Sequence, residues 1–240
     1  MSLSGPLLLA VLAAPGCVES LDAADGSPDA VVEDGRDAMP GPLLIDDFSS
    51  CDPALASAIG ATWYAFEDRD RPEDGVAWND CNHGSSTSAV ELLHEGTGSS
   101  GCALRWSGEV TTAFEYGFAG VGIDISSVDL TRFGRLVLVV RGDGEYRLKL
   151  PMAEQAARAQ AGPCGNGDWN FFGATFRCGD GTSAWVETAF DLRAPPLAQE
   201  SGWGTPWTFD KADVSQIQIQ TIGQPIASFR CDIGAVRLEP

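Results

Sequence analysis

A chain of 240 residues is long enough for one β domain of about 200 residues with appendages. Its 34 Asp plus Glu against 15 Lys plus Arg give a formal charge of −19, which repels phosphate backbones and argues against nucleic acid as a partner. With 28 glycines, 14 prolines, seven tryptophans and few long helical patterns, the composition favours turns and strands and points to an all-β class.

In chain order, Leu7 to Gly16 (LLLAVLAAPG) is an apolar run too short to span a bilayer as a helix but suited to the core of a secretory leader. Ala14-Pro15-Gly16-Cys17 is similar to the box at which bacterial lipoprotein precursors are cleaved and lipidated. Ala14 replaces the leucine usual in that box, and Met1 to Pro6 has no basic residue. The expectation is residues 1–17 as a signal peptide with Cys17 as the lipidation site, an ordinary cleaved leader being the alternative. Either way the protein is exported, as a cell-envelope lipoprotein or in secreted form, and meets a membrane only through a lipid on Cys17. Residues 18–42 carry seven acids against the single base Arg36 and few large apolar side chains, which predicts a disordered, extended acidic tether.

Six cysteines remain: Cys51, Cys81, Cys102, Cys164, Cys178 and Cys231. An even number in an exported chain predicts three disulfides, with fifteen connectivities open. Cys164 with Cys178 would enclose the Gly-rich loop PCGNGDWNFFGATFRC; Cys51 with Cys81 and Cys102 with Cys231 follow by elimination.

Residues 43–240 read as short strands between turns. Leu43 to Phe48 (LLIDDF) and Phe229 to Leu238 (FRCDIGAVRL) are first and last strands expected to pair and close the domain. Between them lie Ala61 to Phe66, Ser88 to Leu93 and Cys102 to Trp106, then Thr111 to Phe118 leading into the glycine-spaced AGVGIDIS. Leu136 to Val140 is apolar throughout, as a central buried strand would be. Glu145 to Leu150 (EYRLKL) alternates, as does Ser215 to Ile222 (SQIQIQTI), and Trp185 to Leu192 is a further strand. Ala153 to Ala161 is the one helical turn expected. About ten such strands predict a two-sheet antiparallel β-sandwich of the jelly-roll type.

LIDDF, the Trp63-Tyr64 pair, RLKLPMA, the Cys-bounded loop, SGWG ahead of Phe209-Asp210, the Gln-alternating strand and DIGAVRL resemble, in that order, the family 11 carbohydrate-binding modules. The layout is similar also to the complex I intermediate-associated proteins, which share the galactose-binding jelly roll. The resemblance spans Leu43 to Leu238 and implies a ligand cleft on the concave sheet. A sugar offers hydroxyls in fixed directions and apolar C–H faces, so a site needs aromatics with amides and charged groups on rigid strands. Arg147, Lys149, Gln218 and Gln220 are the candidate polar ligands, with Tyr64, Tyr116 and Trp78 as the aromatic wall; the same four polar groups are equally what a solvated sheet face presents. Trp63 and Tyr64, being neighbours on a strand, point one to the core and one outward.

Modules of this fold often hold a structural calcium between first and last strands, for which Asp46, Asp47 and Asp232 are the candidates. No cofactor is otherwise required. Acid pairs such as Glu109 with Glu115 are too abundant to mark a glycosidase, and with only His83 and His94 and no GxSxG, HExxH or phosphate loop the chain lacks the parts of other hydrolases. The expectation is therefore a non-catalytic, monomeric carbohydrate-binding domain, with a protein-binding adaptor on the same fold as the alternative.

Overall fold

The computed structural model describes residues 41–69, 84–96, 101–161, 169–193 and 197–240. The expectations for Cys17, the leader, residues 18–40 of the tether, Trp78, Cys81, His83 and Cys164 lie outside the described residues. A compact unit spans Met39–Pro240.

The strands are β1 (Leu43–Asp46), β2 (Tyr64–Glu67), β3 (Thr87–Leu93), β4 (Ala103–Val110), β5 (Ala119–Asp124), β6 (Arg135–Gly142), β7 (Glu145–Leu150), β8 (Phe172–Arg177), β9 (Val186–Asp191), β10 (Gln216–Thr221) and β11 (Ile226–Glu239). The single α-helix among the described residues, α1, is Ala153–Gln160. They build two antiparallel sheets packed as a sandwich, one of six strands in the order β3-β4-β11-β6-β9 with β1 also on β11, and one of five in the order β2-β5-β10-β7-β8. Period-two alternation sends Ile217 and Ile219 of β10 and Tyr146, Leu148 and Leu150 of β7 inward, where they meet Trp106, Leu104, Leu136, Leu138 and Ile233 of the other sheet in one core. Trp106 anchors that core, its ring centroid 5.1 Å from Tyr146 and 4.7 Å from Phe229, and its indole N–H donates to Ser88 Oγ (2.9 Å). A buried indole keeps its hydrogen bond in this way while contributing a large apolar surface.

The first strand pairs with the last, Leu43 opposite Leu238, as the apolar runs at the two ends predict. At 14 residues, β11 takes two partners along one edge: β4 from Ile226 to Ile233, and β1 from Val236 to Leu238. The end of β1 and the start of β4 therefore meet beside the same stretch of β11. That meeting corrects the disulfides. Cys51, just after β1, bonds Cys102, just before β4, and Cys178, just after β8, bonds Cys231 in β11. The expected pairs Cys51 with Cys81, Cys164 with Cys178 and Cys102 with Cys231 are overturned. Sequence proximity favoured the short loop, whereas Cys178 sits at the end of one sheet directly over the other and ties the two layers together.

Two further differences concern elements. The segment expected as a Cys-bounded loop contains β8, which pairs with β7 from Phe172 opposite Leu150 to Arg177 opposite Glu145. Thr111 to Phe118 carries no strand; the glycine-spaced stretch after it is β5.

Candidate functional site

Residues opposite one another across an antiparallel sheet share a face, so the outward face of the five-stranded sheet can be read row by row. One row runs Tyr64, Gly122, Gln218, Lys149, Gly173; the next runs Phe66, Gly120, Gln220, Arg147, Thr175. Gln216 faces Asp124 in a third. Four of the seven candidate ligands, Arg147, Lys149, Gln218 and Gln220, thus stand in one two-by-two block on the adjacent strands β7 and β10, with Tyr64 in the same row.

The β2 side of the face is aromatic. Tyr64 and Phe66 have ring centroids 6.0 Å apart, and Phe66 and Phe118 6.3 Å apart. These rings lie over β5 because β5 has no side chains there: a Cβ on Gly120 would fall directly against the Phe66 ring, and one on Gly122 would lie 2.7 Å from the Tyr64 hydroxyl oxygen. Glycine is required by this close approach. Phe66 and Phe118 were absent from the sequence candidates; the period of two from Tyr64 is the signal that marks Phe66. Trp63 turns the other way, into the core, and donates its indole N–H to Asp46 Oδ2 at 2.8 Å.

The middle of the face is a hydrogen-bonded amide cluster. The Tyr64 hydroxyl donates to Gln216 Oε1 (3.0 Å) and accepts from Gln218 Nε2 (3.3 Å), which also donates to Gln216 Oε1 (2.6 Å). Burial pushes the Tyr64 phenol above its ordinary value, with Gln218 opposing and Asp124 adding to the rise. Such mutual bonding fixes rotamers that would otherwise be free on a solvated surface.

The β8 side is cationic. Lys149 is only 7% exposed and donates from Nζ to Gln220 Oε1 at 2.7 Å, with the Phe171 ring centroid 5.9 Å away. Burial lowers its ammonium to about 8; Glu200 opposes that shift and Arg147 adds to it. Arg147 stretches over Gly173, where a Cβ would come within 3.3 Å of its Nε, and donates from Nη2 to the Ala198 carbonyl at 2.6 Å. Burial likewise lowers the Arg147 guanidinium, against the pull of Glu200, whose Oε1 is 3.6 Å from Nε.

The loop carrying Glu200 is held from beneath. Asn170 donates from Nδ2 to the Glu200 and Trp203 carbonyls (both 2.8 Å) and accepts the Glu200 N–H (2.8 Å), while Gln199 Nε2 donates to Asn170 O (2.7 Å) and Thr205 O (3.0 Å). Gln155 of α1 donates to the same Asn170 carbonyl at 3.0 Å. These bonds make residues 197–207 a fixed wall at the β8 edge, and sequence reading did not find them. An open depression at the β8 and β9 margin is lined by Arg147, Gly173, Thr175, Thr188, Ala198 and Gln199.

Tyr116 does not join the block. It is 71% exposed on the loop between β4 and β5 and packs edge-on against Phe114 at 5.8 Å. The three acids expected to clamp calcium are also separate. Asp46 lies opposite Val236, four residues along β11 from Asp232, and its carboxylate accepts the Phe48 N–H (2.8 Å) besides the Trp63 indole. Asp47 accepts the Ser49 N–H at 3.0 Å. Asp232, 0% exposed, is surrounded by guanidinium groups: Arg105 Nε at 3.0 Å, Arg141 Nη2 at 2.8 Å and Arg230 Nη2 at 2.7 Å. Burial opposes its ionisation, but the hydrogen bonds from Arg230, Arg105 and Arg141 outweigh this and hold the carboxyl at about 2. A carboxylate whose lone pairs already serve three arginines is a poor calcium ligand, and the three acids do not fit a shared calcium site. Among the described residues the one cluster with metal-ligating types is Cys51, His94 and Cys102, and its two cysteines are joined as a disulfide.

No family model and no curated protein matches the sequence. Solved structures do resemble the fold. A family 11 carbohydrate-binding module from Clostridium thermocellum, in complex with a β-1,3-1,4-mixed-linked tetrasaccharide, matches with 14% identity over 83% of this chain and 95% of that chain, at a TM-score of 0.53. The family 11 module of a cellulosomal cellulase from the same organism matches with 13% identity over 83% of this chain and 94% of that chain, at a TM-score of 0.50. The chain therefore folds as a jelly-roll β-sandwich like that of the family 11 modules, as the order of its motifs predicts.

Proposed function

We propose that this domain binds carbohydrate, without catalysis, on the outward face of its five-stranded sheet. The observation that carries the reading is the block of Gln216, Gln218, Gln220, Arg147 and Lys149 beside the Tyr64 and Phe66 rings, in which Gln216 and Gln218 are bonded to each other and to Tyr64, Gln220 holds Lys149, and Arg147 is anchored on the Ala198 carbonyl. Aromatic rings offer a surface for the C–H faces of a pyranose, and fixed amides offer donors and acceptors for its hydroxyls. A merely solvated face has no use for glycines that let rings lie on the neighbouring strand, nor for amides held to one another. The likeness in fold to a module solved with a bound tetrasaccharide adds to this reading. Two disulfides are compatible with an oxidising, extracytoplasmic setting, and we extend the proposal to an exported lipoprotein tethered through Cys17.

A glycan-array screen under oxidising conditions, followed by calorimetric titration of each hit, tests the site. Gln218→Ala and Phe66→Ala should each weaken binding by about tenfold, equivalent to about 1.4 kcal/mol, with the near-UV circular dichroism of the fold retained. Undiminished binding by both variants would sink the assignment of this face, and silence of the folded chain across β-glucans, xylans and galactans would turn the reading toward a protein-binding adaptor.

A further inference from the structure

The cationic half of the site carries a charge that the described residues around it answer only in part. This protein has two lysines, Lys149 and Lys211, among 15 basic residues and 34 acids. One of the two lies 7% exposed in a sheet face, although lysine is almost never buried unless paired. Among the described residues no carboxylate lies within ion-pair distance of its ammonium. Of its three N–H donors, one has an acceptor among the described residues, Gln220 Oε1. Arg147, two residues along the same strand and so about 7 Å away, is in a similar state. Its Nη2 reaches the Ala198 carbonyl, its buried Nε has no hydrogen-bond partner, and Glu200 approaches Nε only to 3.6 Å with its own side chain 43% exposed.

The charged groups facing Lys149 are Arg147 on its own strand and Glu200 on the 197–207 wall; β10 presents Gln218 and Gln220, β8 presents Gly173, and the segment before β8 presents the Phe171 ring. Among the described residues, one buried and one half-buried cation against one half-exposed acid leave an excess of positive charge and of N–H donors. The guanidinium groups on the outward face of the six-stranded sheet are not left so: Arg105, Arg141, Arg230, Arg135 and Arg237 each have a carboxylate oxygen within 3.0 Å. A neutral sugar hydroxyl both donates and accepts, and matches the amide cluster beside Tyr64. An oxyanion only accepts, and matches unused N–H donors of positive charge.

Resting on the sugar-binding reading above, we propose that the ligand is an acidic saccharide, whose oxyanion, a uronate carboxylate or a sulfate ester, is held by Lys149 and Arg147 while its ring lies toward Gln218 and the β2 aromatics. Arg147, reaching over Gly173 to the depression at the β8 and β9 margin, brings its planar donor set to the rim, and Lys149 supplies the charge in the floor.

The test is titration of the full chain with four probes in two matched pairs: oligogalacturonate and its carboxyl-reduced copy, and a sulfated galactan oligosaccharide and its desulfated copy. The expected result is about tenfold or greater preference for the acidic member of at least one pair, identifying the anion, and collapse of that preference in Lys149→Met. Arg147→Gln serves as the second variant, and circular dichroism checks that both are folded. Equal affinity for the acidic and neutral members of both pairs, or a preference that survives both substitutions, would overturn the proposal while leaving the sugar site in place. Binding confined to neutral glucans would do the same. Failure of the folded chain to bind any saccharide would remove both readings together.

Discussion

On the outward face of the six-stranded sheet, Asp232 meets three arginines, Arg237 meets Glu187 and Glu239, and Arg135 meets Glu239, all through contacts of 3.0 Å or less. On the outward face of the five-stranded sheet, Lys149 meets an amide oxygen and Arg147 a backbone carbonyl. Both faces alternate with the same core, although the six-stranded sheet carries register shifts along β11 and the five-stranded sheet pairs without them. What differs is whether the charges are closed upon themselves. A face whose ions are mutually satisfied offers a ligand nothing that folding has not already used, whereas a face with buried, under-paired donors has been held open at some cost in stability.

That contrast is broken most severely at Asp232. Asp232→Ala leaves three guanidinium groups around an empty centre and should destabilise the domain by about 3–5 kcal/mol in urea unfolding. With its folded carboxyl at about 2, below the unfolded value, Asp232 contributes stability that is present above pH 4 and is lost as pH falls from 4 through 2, by about 2 kcal/mol in an acid titration of unfolding. Replacing Cys178 and Cys231 together by Ala removes the tie between the two sheets. For a sequence separation of 53 the chain-entropy model gives about 4 kcal/mol as the upper value, read as a fall in the urea midpoint.

Lys149 should respond with the opposite sign. A lysine lowered to about 8 binds its proton less tightly folded than unfolded, so the wild type gains stability as pH rises from 8 toward 10.5, by about 3 kcal/mol at most, and none of that gain appears below 8. Lys149→Met should therefore stabilise the protein at pH 7, and the difference between variant and wild type should shrink by pH 10; a destabilised variant would mean the ammonium is held by partners stronger than Gln220. The smallest effect expected is at Tyr64. Tyr64→Phe removes the bonds to Gln216 and Gln218 and should cost about 1 kcal/mol in the same unfolding assay.

Much of the fold could be read from the chain because β7 and β10 alternate so cleanly that Glu145–Leu150 appears in the structure with the limits the pattern predicts. The outward placement of Arg147, Lys149, Gln218 and Gln220 follows from that alternation, and so does the division of Trp63 inward and Tyr64 outward. What alternation cannot supply is register between strands about 70 residues apart. Nothing in EYRLKL or SQIQIQ says that Lys149 will stand opposite Gln218, because that depends on the order of strands in the sheet. The disulfides were misread for a related reason: pairing of Cys51 with Cys102 depends on β1 and β4 sharing one edge of β11, a property of a strand more than a hundred residues away from either. β8 was hidden in a stretch whose glycines and flanking cysteines looked like a loop, and Phe66 was passed over because the glycine that makes room for it, Gly120, lies in a different strand.

The long last strand has a kinetic consequence. β11 lies between β4 and β6 in the middle of its sheet and takes β1 as well, so three earlier strands wait for a partner that leaves the ribosome after all of them. Until it arrives, β4 has only β3 beside it, β6 has only β9, and β1 has no sheet to enter. Folding of this half cannot proceed strand by strand during synthesis, and it carries the high contact order and exposed edges that make β-sandwiches slow to form and prone to associate. A nascent chain halted before Ile226 should remain sensitive to protease, and extension through Glu239 should convert it to the protected form in a single step.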